Sequence, residues 1–172
     1  MKKSDFSFTL KDRKTADEVI EHELRQIKEK TDDYVEGHIK EYKGHIFSYT
    51  TTRKSGLASF ADFASPETIE KDIQEDLGEI SREENRFEVY LSVKGLEHYK
   101  YRMMFVRYGA ISYPVTIVLA EDLAQLFGTY KETREANGEE DLRMIMDKIL
   151  DSKFMKDLIQ SLIFEAMRHE EN

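Results

Sequence analysis

The sequence predicts an α+β fold: an antiparallel sheet packed against amphipathic helices, ending in a C-terminal helical pair. Three observations predict it. Residues 87–93 alternate apolar and polar with period two, the pattern of a half-buried strand. Two turns downstream bring back the same apolar face, giving a three-stranded meander over residues 86–119. Residues 155–167 place apolar side chains at i, i+3 and i+4, the strongest helical signal in the chain.

The elements follow in order. Thr15 and Glu18 form a capping box for a helix near 16–30, whose mainly apolar inner face is Ala16, Val19, Ile20, Glu23, Leu24 and Ile27. A hairpin over residues 34–52 comes next. With Tyr42-Lys43-Gly44 as a three-residue loop, Ile39 faces Phe47 and Val35 faces Thr51, and Gly44 takes the position that needs positive φ. Residues 53–65 read as a long loop. Ser65-Pro66-Glu67 then opens a second helix with an Ile69, Ile73, Leu77, Ile80 stripe.

In the meander, a loop at Lys94-Gly95-Leu96 sets Leu91 opposite Tyr99, Val89 opposite Tyr101 and Phe87 opposite Met103. A turn centred on Gly109 sets Phe105 opposite Tyr113 and Met103 opposite Val115. Glu121 to Phe127 forms a short helix stopped by Gly128, and a polar link runs from Thr129 to Gly138. A helix at about 140–150 follows, and Asp151 or Ser152 caps the last one.

The 172 residues fit a single domain, 1–172. The absence of Cys removes disulfides, thiolate metal sites and a cysteine nucleophile, and it suits a reducing cytoplasm. No apolar stretch follows Met1-Lys2-Lys3-Ser4, so no signal peptide is expected. Nor does any run reach the ~18–20 apolar residues of a membrane span.

Charge narrows the partners. The net charge of −9 repels nucleic acid at long range. Residues 86–119 depart from it, with Arg86, Lys94, Lys100, Arg102 and Arg107 against Glu88 and Glu97. If the apolar side of the meander faces the core, its outer side presents Tyr90, Ser92, Lys94, Lys100, Arg102, Met104, Val106, Ser112 and Thr116. Cations beside a tyrosine on a sheet suit an acidic protein surface, or the phosphates and bases of a single strand. The plainer alternative is a wet face, or one whose cations an acidic helix neutralises.

Elsewhere, Arg53 and Lys54 lie in a polar loop that could wrap a phosphate ester, although it lacks the P-loop pattern. Phe60 and Phe63, just beyond, are either tucked into the core or offered to a partner. The five histidines show no metal-ligand spacing, and no GxSxG elbow occurs, so no metal, cofactor or catalytic residue is expected.

The function expected from these features is that of a non-enzymatic, acidic interaction protein whose partner is another protein. Tyr90, Lys94, Lys100, Arg102, Arg53, Lys54, Phe60 and Phe63 are the candidate contacts. An RNA or single-stranded nucleic-acid binder is the second reading, and an enzyme acting on a phosphate ester near Arg53 and Lys54 is the third. Leftover apolar surface on the last helix would suit a homodimer.

Overall fold

The computed structural model describes residues 9–52, 67–72, 84–128 and 132–171. The chain starts its first helix where the capping box requires. Helix α1 spans Ala16–Lys30, the Thr15 side chain accepts from the Glu18 amide, and the Glu18 carboxylate accepts from the Thr15 amide at 2.9 Å. Its buried face, Ala16, Val19, Ile20, Leu24 and Ile27, lies in the core.

The strands are β1 (Val35–Glu41), β2 (Phe47–Thr52), β3 (Glu67–Asp72), β4 (Asn85–Val93), β5 (Leu96–Tyr108), β6 (Val115–Leu119) and β7 (Thr133–Ala136). Helix α2 (Glu121–Ala124) runs into a 3-10 turn and stops at Gly128, and α3 (Glu139–Leu150) and α4 (Lys153–Glu170) form the C-terminal pair. One antiparallel sheet has the order β1-β4-β5-β6-β7, and β2 and β3 pair separately. The α+β architecture expected from the sequence is the one observed. None of the described helices is long and apolar enough to cross a membrane.

Several pairings differ from expectation. The hairpin over 34–52 does not form: β1 pairs with β4 along its whole length, Val35 with Val93 through Glu41 with Phe87, while β2 pairs with β3 in a separate sheet. After β1 the chain leaves the sheet plane instead of reversing. Tyr42 and Ile46 pack with Phe105 and Val118, and Arg86 donates to the Gly44 carbonyl at 3.1 Å. Residues 67–72, expected to begin a helix, form β3. There Thr68 and Ile69 pair with Thr51 and Thr50, and β-branched residue types favour strand over helix. The Ser65-Pro66 start and residues 73–83 of that expected helix lie outside the described residues.

The meander holds, in a different register. Lys94-Gly95 is a two-residue turn with Val93 opposite Leu96, and Gly95 takes φ +80°, a left-handed conformation that glycine adopts without strain. Irregularities then place Leu91 opposite Tyr101 and Val89 opposite Met104. The second turn is longer than expected and pairs Val106 with Ile117. The reason lies in α1: the connection 109–114 carries Ser112, whose Oγ accepts from the Ala16 amide at 2.7 Å and so serves the first turn of the helix. Strand β7 occupies part of the expected polar link, with Ala136 buried opposite Val115.

One core joins the inner sheet face to α1, α3 and α4 through Leu91, Met104, Ile117, Leu142, Met146 and Met155. Ser152 caps α4 by accepting from the Met155 amide, and α4 turns Leu162 and Ala166 inward while leaving Phe164 65% exposed. At Gly37 the sheet and α1 approach so closely that an added Cβ would lie 2.7 Å from Leu24 Cδ2 and 2.9 Å from its Cβ. The Leu24 Cβ is fixed to the helix backbone, so a Gly37→Ala variant must move α1. It is expected to lose about 1–3 kcal/mol in urea denaturation; stability equal to the parent would contradict this packing.

Candidate functional site

Strand alternation sends Glu36, His38 and Lys40 of β1, Glu88, Tyr90 and Ser92 of β4, and Arg102 of β5 to the side of the sheet away from the helices. At the centre of this outer face is Glu88, only 6% exposed. Lys100 Nζ donates to its Oε2 at 2.6 Å and Arg102 Nε to its Oε1 at 2.7 Å, so each carboxylate oxygen holds one cation. Burial pushes the Glu88 carboxyl up, but the two hydrogen bonds and the two positive charges outweigh it, and the group sits below its ordinary value.

Tyr90 lies beside this fork. The Lys100 ammonium stands 4.2 Å from its ring centroid, and the His38 ring stacks on it at 5.0 Å. His38 Nε2 and Ser92 Oγ are 2.6 Å apart. Burial, helped by Lys40 and Lys28 and opposed by Glu36, lowers the His38 imidazole below its ordinary value. Further along, the Arg102 guanidinium covers the Phe105 ring at 4.6 Å, and Phe105 meets Tyr42 at 4.7 Å.

Of the residues singled out from sequence, Tyr90, Lys100 and Arg102 therefore come together. Lys94 does not join them. Its ammonium is 3.1 Å from Glu170 at the end of α4, and the Tyr34 hydroxyl donates to the same carboxylate at 3.0 Å. A turn residue is placed by its turn rather than by strand alternation, which is why period two misplaced it. Met104 and Val106, expected outside, are in the core, and Phe105 is outside with Ile46 and Val118. Arg53, Lys54, Phe60 and Phe63 lie outside the described residues.

Glu88 and His38 were not among the candidates. Glu88 carried a signal, since it shares its strand face with Tyr90. His38 carried none, because its neighbour β4 was not recognised as the partner of β1.

A second feature is a cleft of about 460 Å³ between α1, α3 and α4, lined among others by Glu23, Ile27, Leu150, Lys156 and Ile159. Glu23, 6% exposed, accepts from Arg143 Nη1 at 2.6 Å and from Gln26 at 2.8 Å. Arg143, itself on α3, thereby ties α1 to α3, and it also bridges to Glu139 one turn before it at 2.8 Å. Its hydrogen bond is the main cause that holds the Glu139 carboxyl below its ordinary value. Among the described residues no group of three or more His, Asp or Glu is placed to hold a metal ion. Comparison with protein families, with curated proteins and with solved structures finds no match.

The fork has a testable pH signature. A carboxylate with a depressed folded-state pKa stabilises fully above its unfolded value of about 4.3, and that stabilisation is lost as pH falls through the folded value. Both cations are about half exposed, so solvent screens part of the interaction. Glu88→Gln is expected to cost about 1–2 kcal/mol at pH 7 in urea denaturation. The gap to the parent should close in acid below the folded pKa; a gap of equal size at both ends of the range would contradict the fork.

Proposed function

We propose that this chain is a non-enzymatic interaction protein that receives another protein on its outer sheet face. The reading rests on one observation: a nearly buried carboxylate, Glu88, holds Lys100 and Arg102 in fixed positions beside Tyr90. Tyrosine and arginine dominate the energetics of protein interfaces, and side chains already held in place lose little entropy on binding. Lys100 and Arg102 outnumber the carboxylate between them, which favours an acidic patch on the partner.

Two features favour a protein over a single nucleic-acid strand. The Tyr90 ring already has His38 and Lys100 against it, so it offers less of its face for a base to stack on. Glu88 also cancels much of the charge that would neutralise phosphates, within a chain of net charge −9.

A photo-cross-linking amino acid at Tyr90 tests the reading in native cells, with the exposed Ile111 as the control position. The expected product is a protein adduct from position 90 and none from 111, weakened when Arg102→Ala is added. An RNA adduct, or adducts equal at both positions, would overturn the reading.

A further inference from the structure

Strand β1 is an edge of the five-stranded sheet. At the two ends of its ladder the Tyr42 amide donates to the Arg86 carbonyl and the Lys94 amide to the Tyr34 carbonyl. Main-chain groups alternate in direction along an antiparallel strand, so residues 36, 38 and 40 bond to β4 while 35, 37, 39 and 41 point away from the sheet. The Val35 amide and carbonyl are both taken by Thr31 Oγ1, at 3.2 and 3.0 Å. The outward groups of Gly37, Ile39 and Glu41 have no main-chain partner among the described residues.

An unpaired strand edge is a template for another strand, and the side chains here say which one. We propose that β1 pairs antiparallel with β1 of a second copy of this chain, about a two-fold axis at His38, joining the two sheets edge to edge. Gly37 then exchanges both main-chain bonds with Ile39 of the second copy, and the symmetry repeats the exchange. On the outer face Glu36 stands opposite Lys40 of the second copy, twice over. On the inner face each Ile39 faces a glycine, large against small.

Only this register matches the charges. Moving the axis to Gly37 sets Glu36 opposite His38, and moving it to Ile39 sets Lys40 opposite His38; neither pairs Glu36 with Lys40. Within one chain Glu36 is held by Lys28 at 3.1 Å, an exposed contact at the strand's rim that the second copy's Lys40 would replace with a cation of equal charge. Isologous two-fold contact is the commonest route to soluble oligomers. This pairing uses the sheet edge, and it does not depend on the protein-binding role of the outer face.

Sedimentation equilibrium of five samples tests the pairing. The parent chain is expected to dimerise. Glu36→Lys alone and Lys40→Glu alone each put like charges opposite one another and should raise the dimer dissociation constant by about ten-fold or more. An equimolar mixture of these two variants, and the chain carrying both substitutions, should recover dimerisation, because each restores opposite charges across the axis. Hydrogen exchange on the parent needs no substitution: the Gly37 and Ile39 amides should slow as protein concentration rises. A parent that stays monomeric, a dimer indifferent to the single substitutions, or Gly37 and Ile39 amides that exchange equally fast at all concentrations would overturn the proposal.

Discussion

Strand β5 has thirteen residues and β4, facing it, has nine, so β5 must absorb a surplus without losing its apolar face. It does so at two places. Between the Leu91–Tyr101 and Val93–Leu96 pairs several β5 residues stand against one, and between Tyr90 and Val89 a single extra residue, Met103, is inserted. A bulge of one residue leaves two successive side chains on the same side of the sheet. Met103 and Met104 accordingly both enter the core. From there onward every β5 side chain lies on the face opposite to the one that simple alternation would give it. Val106 and Tyr108 reach the core, and Phe105 emerges on the outer face.

The bulge thereby builds both sides of the sheet at once. Inside, Tyr108 comes within reach of α1, where its hydroxyl donates to Asp17 at 2.6 Å and burial together with that carboxylate pushes its pKa far up. Outside, Arg102 on one side of the bulge and Phe105 on the other stand close enough for the guanidinium to cover the ring while its Nε reaches Glu88. Polar ties then fix the outlying helices. Arg143 joins Glu23 to Glu139, and Glu170 joins the end of α4 to Lys94 and Tyr34. The Arg143–Glu23 pair is mostly buried, and such a pair adds little net stability against an apolar packing of the same volume yet is costly to break, whereas the exposed Lys94–Glu170 pair is screened by solvent and contributes little.

Much of this was legible in the sequence, and the misses share a physical origin. Local signals were accurate: the capping box at Thr15 and Glu18, the stop at Gly128 and the Ser152 cap all lie where short-range chemistry puts them. The meander was legible because period two is strong in residues 87–93. What failed was pairing at a distance. Val35 and Ile39 alternate equally well whether their neighbour is β2 or β4, and no local residue says which, so the 34–52 hairpin was the cheaper assumption and the wrong one. Strand β7, Thr-Arg-Glu-Ala, has one apolar residue and no periodic signal of its own. The bulge was invisible for a related reason: Met103, Met104, Phe105 and Val106 are all apolar, and an unbroken apolar run cannot report where its alternation resets. That single gap moved Met104, Val106 and Phe105 to the wrong faces. It left Tyr90, Lys100 and Arg102, which lie before the bulge, on the right one.

Both faces of the sheet turn on that inserted residue, and nuclear Overhauser contacts across β4 and β5 read it directly. The register described here predicts cross-strand contacts between Val89 and Met104 and between Phe87 and Val106. Contacts of Phe87 with Phe105 in place of Val106 would mean that the strands run on from the Tyr90–Arg102 pair without the bulge, and they would contradict both the core and the outer face built on it.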